Sequence, residues 1–124
     1  MAASVITTLA KEESTFIITV APTDDTDVAV TPQTMLWTLT DLDGTVINSR
    51  TAIDFETDNG NSEAGTLSTS MAIILNGDDL QITGSGDANE KRILTIEGTY
   101  NSDAGTGLPY TDQVIFIVEN LKAV

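Results

Sequence analysis

Apolar and polar side chains alternate with a period of two along most of this chain, and that pattern constrains its fold more than any other feature. Phe16, Ile18 and Val20 share one side of an extended segment, with Thr15 and Thr19 on the other. Met35, Trp37 and Leu39 alternate with Thr38 and Thr40, and Leu67, Met71, Ile73 and Leu75 continue the scheme. Leu94, Ile96, Gly98 and Tyr100 are interleaved with Thr95, Glu97 and Thr99, while Val114, Phe116 and Val118 oppose Ile115 and Ile117. Successive side chains of a strand point to opposite faces, so each run reads as a half-buried strand. The 20 threonines supply the β-branched polar face that such strands favour. A helix needs apolar residues three and four apart over about ten positions or more, and no segment sustains that spacing.

Turn-forming residues punctuate these runs at 21–33, 41–44, 57–65, 76–79, 84–91 and 101–109. The spacing predicts an all-β domain of about seven to eight short antiparallel strands in a sandwich or barrel. With 124 residues the chain has room for one core. Residues 1–124 are therefore expected to form a single domain, its core within 12–121 and residues 1–11 an extended segment or edge strand. The sharpest local expectation is a hairpin at Asp41-Leu42-Asp43-Gly44-Thr45. A type I turn on Leu42 and Asp43, closed by a left-handed Gly44, sets Leu39 opposite Ile47 and Trp37 opposite Ser49. A two-residue Asp-Gly turn would set Leu39 opposite Asn48 and break the apolar face, so the first register is expected.

Charge and missing residue types narrow the function. The chain carries 19 acidic and 5 basic side chains, a net charge of −14 at pH 7, and neither His nor Cys. Its hydrophobic content of 40% suffices for a packed core. Nucleic-acid binding needs clustered Lys and Arg, so no nucleic-acid partner is expected. Without Cys there are no disulfides, thiolate nucleophiles or Cys-based zinc sites; without His the commonest general base and metal ligand is gone. Ser-His-Asp and Cys-His catalysis are excluded on the same ground. Gly84-Ser85-Gly86 falls between strands and opens no phosphate-binding helix. No pair among the acids is singled out for two-carboxylate glycoside chemistry. The chain is expected to be no enzyme and to need no cofactor. Its start lacks a basic region followed by an apolar run of about 7–15 residues, and no stretch approaches the roughly 20 apolar residues of a membrane helix. It is expected to be made in a host cytoplasm without a signal peptide, and to have no membrane partner.

A strand carrying Phe16-Ile17-Ile18-Thr19-Val20, another carrying Trp37, and the runs Arg92-Ile93-Leu94-Thr95-Ile96-Glu97-Gly98-Thr99-Tyr100 and Gln113-Val114-Ile115-Phe116-Ile117-Val118 recur in a familiar order. Together they resemble the B, C, F and G strands of an immunoglobulin-like β-sandwich. On that resemblance Trp37 is the buried tryptophan of strand C, and Tyr100 an aromatic near the end of strand F. The run from Trp37 to Thr45 also resembles PKD-type bacterial Ig-like domains, without their Gly-Asp-Gly turn. As a small, strongly acidic chain, the protein is similar to the Ig-like accessory proteins of tailed-bacteriophage virions. Some of those decorate the capsid; others sit at the tail or the head–tail junction. The resemblance implies a non-enzymatic structural virion protein, in the first place a capsid decoration or cement protein. A tail or head–tail connector component, and a carbohydrate- or cell-surface-binding Ig-like module, are the alternatives. Expected partners are other virion proteins of the capsid or tail, with a homo-oligomer left open.

Two groups of residues are candidates for binding. In an Ig-like topology the loops 21–33, 57–65 and 101–109 should meet at one end, gathering Asp24, Asp25, Asp27, Asp58, Glu63 and Asp103 into an acidic rim. Calcium takes six to eight oxygen ligands, which makes Asp24, Asp25, Asp27 and Asp103 calcium candidates. Solvated, solubilising charge is the alternative for the same residues, as it is for Asp41, Asp43, Asp78 and Asp79. Apolar residues expected on outer strand faces, Leu36, Val46, Ile74, Ile93, Ile115 and Ile117, are docking candidates. Cover by the opposite sheet or by the segment Ser4–Leu9 is their alternative. Tyr110 and Tyr100 flank 101–109 and offer either an aromatic contact surface or packing at strand ends.

Overall fold

The computed structural model describes residues 4–84 and 88–121. Among these residues eight strands form: β1 (Ser4–Val5), β2 (Ala10–Lys11), β3 (Thr15–Val20), β4 (Thr34–Thr40), β5 (Ile53–Asp54), β6 (Met71–Asn76), β7 (Asn89–Ser102) and β8 (Gly105–Glu119). A single 3-10 turn, Gly77–Leu80, follows β6. The larger sheet runs β1-β8-β7-β4-β5, with β2 also pairing β8, and the smaller is the ribbon β3-β6. The architecture is all-β and sandwich-like. No described helix is long and apolar enough to cross a membrane.

Period-two patterning turns directly into the core. Ile18 and Val20 of β3 and Met71, Ile73 and Leu75 of β6 are buried on one side of the ribbon. They face Met35, Trp37 and Leu39 of β4, Leu94 and Ile96 of β7, and Val114, Phe116 and Val118 of β8. Phe16 stacks on Phe116 with ring centroids 5.6 Å apart, joining the two sheets near one edge. Each of these large side chains contributes roughly 1.5–3 kcal/mol by leaving water.

Three expectations need correction. First, the strands are not all antiparallel: β1 and β2 run parallel to β8, with Val5 beside Ile115 and Ala10 beside Val118. The N-terminal segment lies along the last strand of the chain instead of folding back on its neighbour. Second, 101–109 is not an open loop. β7 and β8 stay paired out to Ser102 and Gly105, and the turn holds only Asp103 and Ala104. Its turn-like residues serve a bulge, where Asn101 Oδ1 accepts the Gly107 N–H at 2.9 Å and Gly107 takes φ 66°. Third, Leu67 lies outside β6 and packs against the core from irregular chain.

The hairpin after β4 forms as expected for its first few residues only. Gly44 has φ 89°, the Asp41 N–H donates to the Thr45 carbonyl at 3.0 Å, and the Ile47 N–H donates to the Leu39 carbonyl at 2.9 Å. The Asp41 carboxylate fixes the turn by accepting the Asp43 and Thr45 N–H groups. Past Ile47 the predicted register fails: Trp37 pairs with Ile53, not Ser49. Asn48 and Ser49 adopt φ 53° and 58° and loop out, so that Leu39 bonds next to the Arg50 carbonyl.

Candidate functional site

The outer face of the larger sheet collects five of the expected docking residues. Cross-strand pairing sets Val46, Thr40, Ile93, Ile115 and Val5 in one row across the sheet. Directly opposed side chains lie about 4.5–5.5 Å apart, so this row is a continuous surface. Ile117 extends it along β8, and Leu36 lies on the same face of β4. Val46 and Leu36 are each 37% exposed and Val5 63%, while Ile93, Ile115 and Ile117 are half-buried by their neighbours.

The rest of this face is uncharged for most of its extent. Thr38, Thr95 and Gln113 form the next row, and Thr34 and Thr99 share a hydrogen bond of 3.0 Å between hydroxyls. Lys91, Glu97 and Glu119 are the charged residues of β7 and β8 on this side. Asp54 of β5 stands opposite Leu36 and Lys11 of β2 opposite Glu119, so the charge is kept off the central Thr- and Ile-rich rows and gathers toward the borders of this sheet face. Sequence reasoning missed Val5, because a parallel pairing with a strand 110 residues away leaves no local signal.

The other candidates lie elsewhere. Ile74 faces outward from the small ribbon, opposite Ile17. Of its two expected roles, Tyr110 takes packing and not the contact surface: it is 7% exposed, on the inner side of β8, with its hydroxyl donating to Asp112 at 3.3 Å. Trp37, Phe55, Tyr100 and Phe116 are also buried and Phe16 is half-buried, which leaves no exposed ring to stack on a sugar.

The expected acidic rim does not assemble. Asp24, Asp25 and Asp27 share the loop after β3, and Asp25 reaches the β7–β8 hairpin, where the Ser102 hydroxyl donates to it at 2.6 Å beside Asp103. Asp58 is at the opposite end of the β3–β6 ribbon, paired with Arg50 at 3.2 Å, and Glu63 lies in the same segment. Asp24 is occupied by its own loop: the Thr26 hydroxyl and the Val28 and Thr26 N–H groups donate to Oδ1 and hold the carboxyl below the usual carboxylate range. Among the described residues no group of three or more acidic side chains is arranged to hold a metal ion.

Two polar clusters sit inside the fold, and both tie segments together. Arg50, 16% exposed at its side chain, bonds Asp79, Asp58 and the Gly60 carbonyl, and the Asp79 hydrogen bond leads in raising its pKa. Arg92 is 2% exposed and bonds Glu90 at 2.6 Å and the Gln81 carbonyl at 3.0 Å. Glu90 in turn accepts the Thr83 and Gly84 N–H groups, pinning that segment to β7. Glu90 and Arg92 also line an open surface pocket with Asp41, Asp43, Thr83, Asn89 and Lys91, but the carboxylates of both clusters are occupied by structural donors. No family model matches the chain, and no curated protein or solved structure matches it either.

Proposed function

We propose that this protein is a non-enzymatic structural component of a tailed-bacteriophage virion, with an immunoglobulin-like sandwich that docks on the capsid as a decoration protein. The strand order β8-β7-β4, with β3 and β6 across the core, supports reading them as G, F, C, B and E. The single observation that carries the docking role is the outward-facing row Val46, Thr40, Ile93, Ile115 and Val5, which no other strand covers among the described residues. A sheet face of this kind can bury about 800 Å² against a shell while the acidic loops point to solvent and limit self-association.

The test uses virions assembled without this chain and purified protein added back. Wild-type protein should bind to heads, and cryo-EM of the product should show the larger sheet against the shell. Ile93→Lys and Ile115→Lys should keep their thermal transition yet lose binding, because each places a charge at the buried centre of the contact. Binding to tails or the head–tail junction would transfer the same face to a connector role. Wild-type protein that binds neither heads nor tails overturns the reading.

A further inference from the structure

An exposed strand edge presents unpaired N–H and C=O groups that template pairing with another chain, and proteins normally cover or blunt it. Three of the four edges of this sandwich are managed by the chain itself. β8 is bordered by the two-residue strands β1 and β2, and β4 by β5 and the Val46 bridge. On β6 the Ile74 N–H donates to the Asn59 carbonyl at 2.8 Å, and Gly60 lies so close that a Cβ there would be 2.2 Å from the Ile74 oxygen. The fourth edge, along β3, has no partner strand among the described residues.

Register identifies the groups that this edge presents. The Gly77 N–H donates to the Ser14 carbonyl at 2.9 Å, in line with the β3–β6 ladder, and Ile74, opposite Ile17, turns its N–H away from β3. Bonded and non-bonded pairs alternate in an antiparallel ladder. Phe16, Ile18 and Val20 therefore bond to β6, while Thr15, Ile17 and Thr19 turn both N–H and C=O to the open side. From Ser14 to Ala21 the chain has no charged residue and no Pro, the two devices that commonly protect an edge. Ile17 is 57% exposed on the outer face of the same strand.

We infer that the β3 edge is an acceptor for an extended segment of a different chain, with apolar side chains at alternate positions and Lys or Arg at both ends. The ends follow from charge: Glu12 and Glu13 outnumber Lys11 just before β3, and Asp24 and Asp25 follow it. A segment with basic ends meets acids at both ends of β3 in either orientation. A second copy fits less well, because an antiparallel β3–β3 pair centred on Ile18 sets Glu12 of each copy opposite Asp24 of the other, twice by symmetry, offset only by Lys11 opposite Asp25. This edge is separate from the outer face of the larger sheet and does not depend on the virion reading.

The probe is a fluorescein-labelled peptide of alternating Val and Thr with two Lys at each end, compared with the same peptide ending in Glu. Fluorescence anisotropy should show the Lys-ended peptide binding at least about tenfold more tightly. Binding should slow hydrogen exchange at the Thr15, Ile17 and Thr19 amides, which exchange quickly in the free protein, while Phe16, Ile18 and Val20 are slow in both states. Ile17→Pro removes an outward N–H and leaves the β6 ladder in place, so it should weaken binding by at least about tenfold. Ile17→Lys makes the same test by charge, should the proline variant fail to fold. Absence of binding by the Lys-ended peptide, binding unchanged in a folded Ile17 variant, or a dimer that these variants dissolve would each overturn the inference.

Discussion

Arg50 grips both carboxylate oxygens of Asp79, with Nε to Oδ1 at 2.7 Å and Nη2 to Oδ2 at 3.1 Å, while its guanidinium lies 5.2 Å from the ring centre of Trp37. Asp79 is fully buried and also accepts from the Asn48 side chain and the Asn76 N–H. Trp37 Nε1 donates to the Asp58 carbonyl, so the cluster binds β4, the segments near 48–50 and 58–60, and the turn after β6 into one unit. Arg50→Met strands a buried carboxylate and should lower unfolding stability by about 3–5 kcal/mol. Adding Asp79→Leu to that variant should recover part of the loss, since no charge is then left buried. Urea titration followed by fluorescence of Trp37, the one tryptophan in the chain, measures both. Equal stability of Arg50→Met and wild type would refute the role given to this pair.

Two glycines separate backbone strain from steric exclusion. Gly44 has φ 89° and open space where a Cβ would go, whereas Gly60 has φ 107° and a Cβ site 2.2 Å from the Ile74 carbonyl oxygen. Gly44→Ala should cost about 1 kcal/mol, from conformation alone. Gly60→Ala should cost about 3 kcal/mol, because it also pushes the 57–60 segment off β6. Thermal melts of the two variants in one buffer check the order, and a Gly60 variant no worse than the Gly44 variant contradicts the close packing.

The inner and outer faces were legible because burial repeats every second residue. Ile18, Trp37, Ile73, Leu94 and Phe116 fell inside, and Leu36, Val46, Ile93, Ile115 and Ile117 outside, by the same alternation. The Asp41–Gly44 turn was legible because Asp and Gly each meet a stated backbone need. What failed depended on partners far along the chain. Asn48 and Ser49 loop out of register where Arg50 is delivered to Asp79, 29 residues away, a demand that local pattern does not carry. Tyr110 followed its alternation inward, although turn-like composition around it suggested an exposed loop. The parallel seat of Val5 on β8 is likewise invisible locally, so the outward row lacked its last member.

Both tyrosines should titrate late. Burial first, and then the charge of Asp112 and its hydrogen bond, push the Tyr110 phenol up to about 12. Burial, followed by the charges of Asp25 and Asp24, also raises Tyr100. A raised phenol pKa favours the fold while the proton stays on. That contribution is complete below the unfolded value of about 10 and is lost as pH rises through the folded values. Unfolding stability should therefore fall between about pH 10 and 12, and Tyr110→Phe should flatten part of the fall. Absorbance at tyrosinate wavelengths should show less than half ionisation of the native protein at pH 10, against about half in denaturant. Equal ionisation in the two states would contradict the burial of both rings.

Asp25 links the loop after β3 to the β7–β8 hairpin, and its removal distinguishes the two tyrosines. Its Oδ1 accepts the Ser102 hydroxyl at 2.6 Å and lies 3.5 Å from the Tyr100 hydroxyl. Asp25→Asn deletes a negative charge that opposes ionisation of Tyr100, so the Tyr100 transition should move down toward 10 while burial keeps part of the shift. Tyr110 answers to Asp112 and should not move. Loss of a charge-assisted hydrogen bond at this exposed position should cost about 1 kcal/mol or less. A two-step alkaline titration, with Tyr100→Phe and Tyr110→Phe to assign the steps, reads the outcome. Parallel movement of both steps would mean that the Asn variant had loosened the whole hairpin, and a fixed Tyr100 step would mean that Asp25 does not sit against it in solution.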